Sequence, residues 1–490
     1  MKALLFILSI VLLTACGDKD SKQISTETSE DISLKGYLID GYPSVNGGYG
    51  YSVLPGQKIS WHLNSNEMKE GYITILDIMD KEIDRFDAIV SPQTIHNSEP
   101  WKNGFGYEVS VTYQVPSNMK SGVYFLNGNR DFMFTVLPEQ SAEITIVIPT
   151  NTMNAYSCAG GRSSYNCKDN AGLIHKREPE LSFSRPIRNS DSWIKDVLML
   201  MEDFLVWSRD DLEKKYKSIG YITDKELETS HFIDSSKVLI VPGHNEYWTL
   251  NAVNNLEAYL DSGRHAIVAG GNILWWHSRY SELGSLITYK AKTEFEEPGK
   301  ETINLQYVGK PAYTILGGSF VYGGYNDADE WNKNIKKPMK VVEPNSPIFR
   351  DTSIGLCSEV DLSHNHELDG VPILGFDSTG YPVPSYGLIK QHKVQILAYT
   401  WGYRNGHNLG TIHAAQRTTN SGYMLQFGSN GAAGAGFKNS TQHIFKKVLS
   451  NSVEILYNDM SPFSPEYQIL EVETQYLTPH EEKFKGAVCG

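Results

Sequence analysis

From about Gly36 to Pro138, apolar and polar residues alternate in short runs: YLIDGYPS, SVLPGQKISWHL, YITILDI, YEVSVTYQV, SGVYFLNG and DFMFTVL, with Gly, Pro and Asn between them. Alternation at period two turns one face of each run inward. A succession of such runs with no helical stretch predicts an all-β sandwich of about one hundred residues. After Leu137 the pattern changes. Glu143 to Pro149, EITIVIP, is a continuous apolar strand, and from there the chain reads as strand, loop and helix. Ser192 to Ile219 carries apolar residues at helical spacing, with Trp193, Val197, Leu200, Met201, Phe204 and Leu205 on one face. Strand Val238 to Val241, a helix near Leu250 to Leu260 stopped by Ser262-Gly263, and strand Ala266 to Ala269 make a βαβ unit. Later strands (ILAYTW, YMLQFG) and a helix near Gln442 to Ser450 complete the pattern. The expected fold class is α/β, with an open, mostly parallel sheet of the glutamine-amidotransferase-like kind, preceded by the sandwich. The expected spans are 33–138 for the sandwich, 139–460 for the α/β domain and 461–490 for a surface-packed tail.

The amino terminus stands apart from this pattern. Met1-Lys2 is followed by an apolar run, Ala3 to Leu13, too short to span a bilayer, and then by Leu13-Thr14-Ala15-Cys16. This is similar to a bacterial lipoprotein signal with its lipobox over residues 1–16, implying cleavage before Cys16 and lipid on that thiol. Residues 17–32 are polar, as a flexible tether should be. The expectation is a chain held in the bacterial cell envelope through lipid on Cys16, on the outer membrane or cell surface in preference to the inner membrane.

Composition changes this picture in two respects. A net charge of -13 over 490 residues, with no block of Lys or Arg, argues against nucleic acid as a partner. Of the remaining cysteines, Cys158, Cys167, Cys357 and Cys489, no two form a CxxC or CxxxC pair, which argues against a zinc-thiolate site. Their even number permits disulfides in an oxidising compartment, and Cys158 and Cys167 bracket a Gly-Gly turn closely enough to close a small loop.

Candidate chemistry clusters at strand ends. KVLIVPGHNEYW breaks at Pro242-Gly243 and at once presents His244, Asn245, Glu246, Tyr247 and Trp248. Residues just past the carboxyl end of a strand in an open sheet face the ligand crevice, which makes Glu246 the first site candidate. The next strand ends in Gly270-Gly271-Asn272, so the βαβ geometry makes Asn272 its neighbour. The loop His364-Asn365-His366-Glu367-Leu368-Asp369 has the residues of a divalent-metal site, but short polar loops of this composition are more often solvated. Glu367 could still reach a site formed by other loops. GxSxG and HExxH are absent, no thiol follows the strand where an amidotransferase nucleophile would stand, and the glycine-rich runs lack a dinucleotide-site context.

Together with GHNEYW and GGNILWW, the stretch from Asn154 to Tyr165, NAYSCAGGRSSY, resembles the large subunit of N,N-dimethylformamidase and its relatives. The resemblance runs from the sandwich to about Tyr280 and fades after that. It implies a mononuclear iron held by two tyrosines and one glutamate. Carried over by motif, these are Tyr124 in SGVY, Tyr165 in GGRSSY and Glu246 in GHNEYW, with His244, Asn272 and Glu367 lining the pocket. Taken alone, Tyr124 among 28 tyrosines would read as a cross-strand aromatic. Two phenolates and a carboxylate supply three negative charges on hard oxygen, which suits iron(III) better than zinc. Because Tyr124 would come from the sandwich and Glu246 from the α/β domain, the site is expected at the interface between them.

The activity so implied is metal-dependent hydrolysis of a carbon-nitrogen bond in a small amide-like substrate. Water activated by the metal would attack the carbonyl, with His244 as base and Asn272 as donor to the oxyanion. Two alternatives stand beside it: a hydrolase on the same scaffold acting on a glycan-derived substrate, and a surface lipoprotein that binds without chemistry. The small second subunit of the known enzyme is not contained in this chain, and a homo-oligomer is an open possibility.

Overall fold

The computed structural model describes residues 32–168, 173–175, 177–187, 194–290, 304–326, 338–362, 367–404, 407–438, 442–467 and 488–489. The lipobox and residues 17–31 of the tether lie outside the described residues, as do His364, Asn365, His366 and Trp193, and the Leu200 side chain is likewise not described. Among the described residues no helix is long and apolar enough to cross a membrane.

The protein is β-rich, with several sheets. Near the amino terminus, a four-stranded sheet (48–49, 38–45, 58–65, 111–114) faces a five-stranded one (52–53, 133–136, 122–126, 69–77, 82–90). Between them lies a core that includes Trp61, Ile73, Ile75, Tyr124 and Phe134. In Lys58–Ser65, KISWHLNS, Ile59, Trp61 and Leu63 are buried at every second position while Lys58 is exposed, as one-sided burial requires. The strand Glu82–Val90, EIDRFDAIV, escapes a sequence reading because its exposed face carries charges and few residues anchor the other.

The larger sheet is mixed. Its parallel part runs Ile219–Thr223, Ile144–Ile148, Val238–Pro242, His265–Ala269, Tyr423–Phe427, and then antiparallel strands His407–Gln416 and Lys393–Tyr403 extend it. The parallel strands read as unbroken apolar runs because both faces are covered. Ile144, Ile146, Val238 and Ile240 enter one core with helices Ile194–Trp207 and Gln442–Tyr457; Val147, Leu239 and Val241 enter a second with helix Leu250–Asp261. Each fully buried Ile or Leu contributes roughly 1.5–3 kcal/mol of apolar transfer free energy. The helix expected to run to Ile219 ends at Lys215, after a wider π-turn over Ser208–Leu212, and Ile219 opens a strand. Ser208 explains the early end: its hydroxyl donates to the Leu205 carbonyl and meets the Tyr221 hydroxyl at 2.8 Å, tying the helix end to that strand.

In chain order, the parallel strands stand as second, first, third, fourth and fifth across the sheet. The order reverses between Ile144–Ile148 and Val238–Pro242, and the carboxyl ends of those two strands flank a crevice at that point. Two disulfides tie down the periphery, Cys158 to Cys167 across nine positions and Cys357 to Cys489 across 132. The second brings the carboxyl end of the chain back onto the fold, where Cys489 is buried.

Candidate metal and catalytic site

Three short segments leave the switch point. After Ile144–Ile148, the helix Thr150–Tyr156 carries Tyr156 at its end. After Val238–Pro242 the chain turns at Gly243, whose φ of +71° suits glycine, and presents His244 and Glu246. After His265–Ala269 comes Gly270-Gly271-Asn272. A Cβ on Gly270 would stand 2.0 Å from the Gly243 carbonyl oxygen, and one on Gly271 would stand 2.6 Å from the Glu367 carbonyl and the Asn430 amide. Both glycines are therefore needed to bring this turn against the other loops.

Glu246 is the hub. Its Oε2 accepts from the Tyr156 hydroxyl at 2.7 Å and the Tyr165 hydroxyl at 3.0 Å, and its Oε1 accepts from Asn272 Nδ2 at 2.7 Å. The two tyrosine hydroxyls lie 3.0 Å apart, their rings 4.4 Å between centroids. The Glu246 amide donates to Thr152 Oγ1 at 3.0 Å, fixing the loop to the preceding helix. His244 Nδ1 lies 3.2 Å from the Gly271 carbonyl, which can only accept, so Nδ1 carries a hydrogen. Its Nε2 faces Tyr156 at 2.9 Å and the carboxylates of Glu246 and Glu367 at 3.3 Å each. Asp369, fully buried, accepts from the backbone amides of Asn272 and Ile273 and from Gln426, and so shapes the Asn272 turn.

Charge follows from this packing. Burial lowers the His244 imidazole, but Glu246 and Glu367 overcome it and push it up to about 9. Burial raises Glu246, and the facing imidazolium more than offsets it, holding the carboxyl below its usual range. Burial, and then the Glu246 charge, push both Tyr156 and Tyr165 well above the ordinary phenol value. The phenols are thus neutral unless a cation joins them. His244, Glu246 and Glu367 each offer an atom within 4.8 Å of the others and could hold a metal ion. The oxygens of Tyr156, Tyr165 and Glu246, at separations of 2.7, 3.0 and 3.0 Å, also fit one. Such spacings suit three oxygens sharing one small cation at about 2.0 Å.

Five of the residues singled out in the sequence come together here: Tyr165, Glu246, His244, Asn272 and Glu367. Tyr124 does not. It stands in strand Gly122–Leu126 inside the sandwich core, 5.7 Å between ring centroids from Phe134, and its hydroxyl donates to the Lys120 carbonyl at 2.7 Å. Arg209 is its other polar neighbour, at 3.4 Å, and neither partner belongs to the cluster. The second phenol on Glu246, beside that of Tyr165, is Tyr156. Among the described residues, the site consequently draws on no sandwich side chain. The sandwich instead braces it from behind, through Tyr49 on Thr150 and Thr223 and through Tyr51 on the Arg185 carbonyl. The signal for Tyr156 was present in the chain: it follows a parallel strand within NAYSCAGGRSSY, whereas Tyr124 lies in an antiparallel sheet.

Arg185, which no motif marks, organises the tyrosine loop. It is fully buried, and its guanidinium donates to the carbonyls of Asn154, Ser157, Ala159, Arg162 and Ser182 and to Asn154 Oδ1. With the Cys158–Cys167 bridge, it sets the path from Tyr156 to Tyr165. Arg185→Ala should leave five carbonyls without this donor and cost about 3 kcal/mol or more in chemical denaturation, with Arg185→Lys recovering only part. A loss below about 1 kcal/mol would show that the loop holds its path without the guanidinium.

Fold and site together define a β-rich protein with a buried phenol, carboxylate and imidazole centre at the switch point of its main sheet. The chain belongs to the N,N-dimethylformamidase beta subunit-like, C-terminal family, whose model matches residues 82–444. That match supports a hydrolase-like function at the level of the family. It also carries the likeness well beyond Tyr280, where the sequence motifs had run out, and so takes in Glu367 and Asn430. The family is named for one subunit of an enzyme, which is consistent with oligomerisation. No curated protein matches the chain.

Proposed function

We propose that the protein is a metal-dependent hydrolase of carbon-nitrogen bonds acting on a small amide-like substrate, with iron(III) held by Tyr156, Tyr165 and Glu246. The observation that carries this reading is the convergence of those three oxygens on one another within 3.0 Å, around the buried carboxylate of Glu246. Two phenolates and a carboxylate match a trivalent cation in charge and hardness. When bound there, the cation would supply Lewis acidity, polarising a carbonyl and making hydroxide available near neutral pH. The chain supplies the rest. Asn272 holds Glu246 in register through its amide hydrogen on Oε1. With Nδ1 committed to Gly271, His244 faces the cluster through Nε2; a cation neutralising Glu246 would remove the charge that chiefly holds the imidazolium, and Nε2 would then take a proton from water and return it to the leaving nitrogen. Glu367, at 3.3 Å, stabilises the imidazolium so formed.

The scaffold we infer is the glutamine-amidotransferase-like open sheet without its nucleophilic cysteine, a reading supported by the strand order at the switch point. We further propose that the chain is exported and lipid-anchored through Cys16 in the cell envelope. The two disulfides support an oxidising compartment.

Metal analysis of purified protein expressed with iron supplied, combined with turnover of small formamides and acetamides, tests the reading. The expected result is bound iron and hydrolysis. His244→Ala should keep the metal and lose on the order of 10²-fold or more in turnover. An iron-free, inactive protein under those conditions would remove the hydrolase assignment.

A further inference from the structure

Arg404 follows the long strand Lys393–Tyr403 at the edge of the candidate site. Across the sheet, Tyr403 pairs with Tyr325, and Tyr325 pairs with Glu367. With strands about 4.8 Å apart, this row sets Arg404 on the order of 10 Å from Glu367. Its guanidinium lies 4.5 Å from the ring centroids of both Trp275 and Phe320, two rings in edge-to-face contact at 5.3 Å. Trp275 is itself part of the site wall: its backbone amide, with that of Trp276, donates to the Glu246 carbonyl.

This arginine is half-buried, and its guanidinium makes no ion pair and no hydrogen bond among the described residues. Three other arginines that are buried or half-buried are spent on partners: Arg185 on carbonyls, Arg209 on Glu213, Arg130 on Asp80 and Glu202. Burial pulls the Arg404 guanidinium below its ordinary value, with Glu367 among the charges that push back. A guanidinium stacked on aromatic faces keeps its planar fork of N–H donors free at the edge, the geometry that takes a carboxylate with two parallel hydrogen bonds. A second cation, Lys290, stands over the Tyr165 ring at 3.2 Å, with Trp276 at 4.8 Å, on another side of the cluster. In a chain of net charge -13, two cations beside a buried cluster of carboxylates and phenols are not the background. The Glu367 charge, which would repel an incoming anion, is answered by His244.

We propose that the substrate of this site carries an anionic group, most simply a carboxylate, held by Arg404 over Trp275 and Phe320 while its amide lies at the Glu246 cluster. This rests on the amide-hydrolase reading and narrows it, since dimethylformamide is neutral and has nothing to offer Arg404. The probes are ω-formamidoalkanoates of graded chain length, each set against the ω-formamidoalkanol of the same length, which replaces the carboxylate with a neutral hydroxyl. In calorimetric titration of the full-length, iron-loaded protein, the carboxylates of the best length should bind on the order of 10-fold to 100-fold more tightly than the alcohols. Arg404→Met should bring that ratio to within about twofold, and Arg404→Lys, a point charge without the fork, should leave an intermediate ratio. Equal binding of the pair at every length, no binding of either, or a ratio that survives Arg404→Met would each overturn the proposal. Hydrolysis of the same probes is read separately. If the alcohols are turned over as well as the carboxylates, the hydrolase stands and only the anion site falls. If carboxylates bind preferentially but nothing is cleaved, the anion site stands and the hydrolase reading falls.

Discussion

Glu246→Ala should produce a folded protein that retains no iron and hydrolyses amides at least on the order of 10³-fold more slowly than the native chain. The size of the effect follows from how many groups meet at one carboxylate. Both tyrosine hydroxyls, the Asn272 amide and the His244 ring are oriented by it. Without the carboxylate a cation would keep only two of its three anionic oxygens, both from phenols that burial holds in the neutral form, so one ligand fewer must support both ionisations. The His244 imidazolium would keep only Glu367 as a counter-charge. Metal content by mass spectrometry and turnover on a small formamide are the two measurements. A Glu246→Ala protein that still holds iron in stoichiometric amount would place the metal elsewhere, with the loop around His364 and His366 the next region to examine.

The second large effect separates three tyrosines. If phenolates bind iron(III), phenolate-to-metal charge transfer colours the protein. Tyr156→Phe and Tyr165→Phe should each weaken or shift the visible band and reduce metal retention by on the order of 10-fold to 100-fold. Tyr124→Phe should leave band and metal content unchanged, because its hydroxyl serves the Lys120 carbonyl inside the sandwich. The ring in Tyr124→Phe still packs on Phe134, so the expected cost there is about 1 kcal/mol of stability from the lost hydrogen bond. The opposite outcome, colour lost with Tyr124 and kept with Tyr156, would require the sandwich to supply a ligand and would reject the arrangement described above.

Much of this architecture was legible because local sequence and fold agree. The alternation in KISWHLNS and the continuous runs in EITIVIP and KVLIVP report one-sided and two-sided burial, and those patterns survive in the structure position by position. GHNEYW and GGN were legible as a pair because a βαβ unit has one handedness and one short span, which leaves Glu246 and Asn272 nowhere to go but the same edge. Strand Glu82–Val90 and the early end of the helix at Lys215 were not legible. One hides behind surface charge, and the other depends on Ser208 meeting a tyrosine thirteen positions away.

By itself, the chain determined the order of strands and helices, the strand ends that carry polar groups, and the set of residue types from which the site is built. Only the tertiary structure decided which tyrosine joins Tyr165, because Tyr124 and Tyr156 both follow reasonable motifs and only packing sends one into the sandwich core and the other onto Glu246. It also decided the roles of Arg185, Asp369 and Arg404. Arg185 collects carbonyls from a folded loop, Asp369 reaches amides 96 and 97 positions away, and Arg404 finds Trp275 and Phe320 across separate segments. Periodicity records which way a side chain faces relative to its own strand or helix. What lies opposite is set by long-range strand pairing and loop crossings, and these leave no mark in the local pattern of the chain.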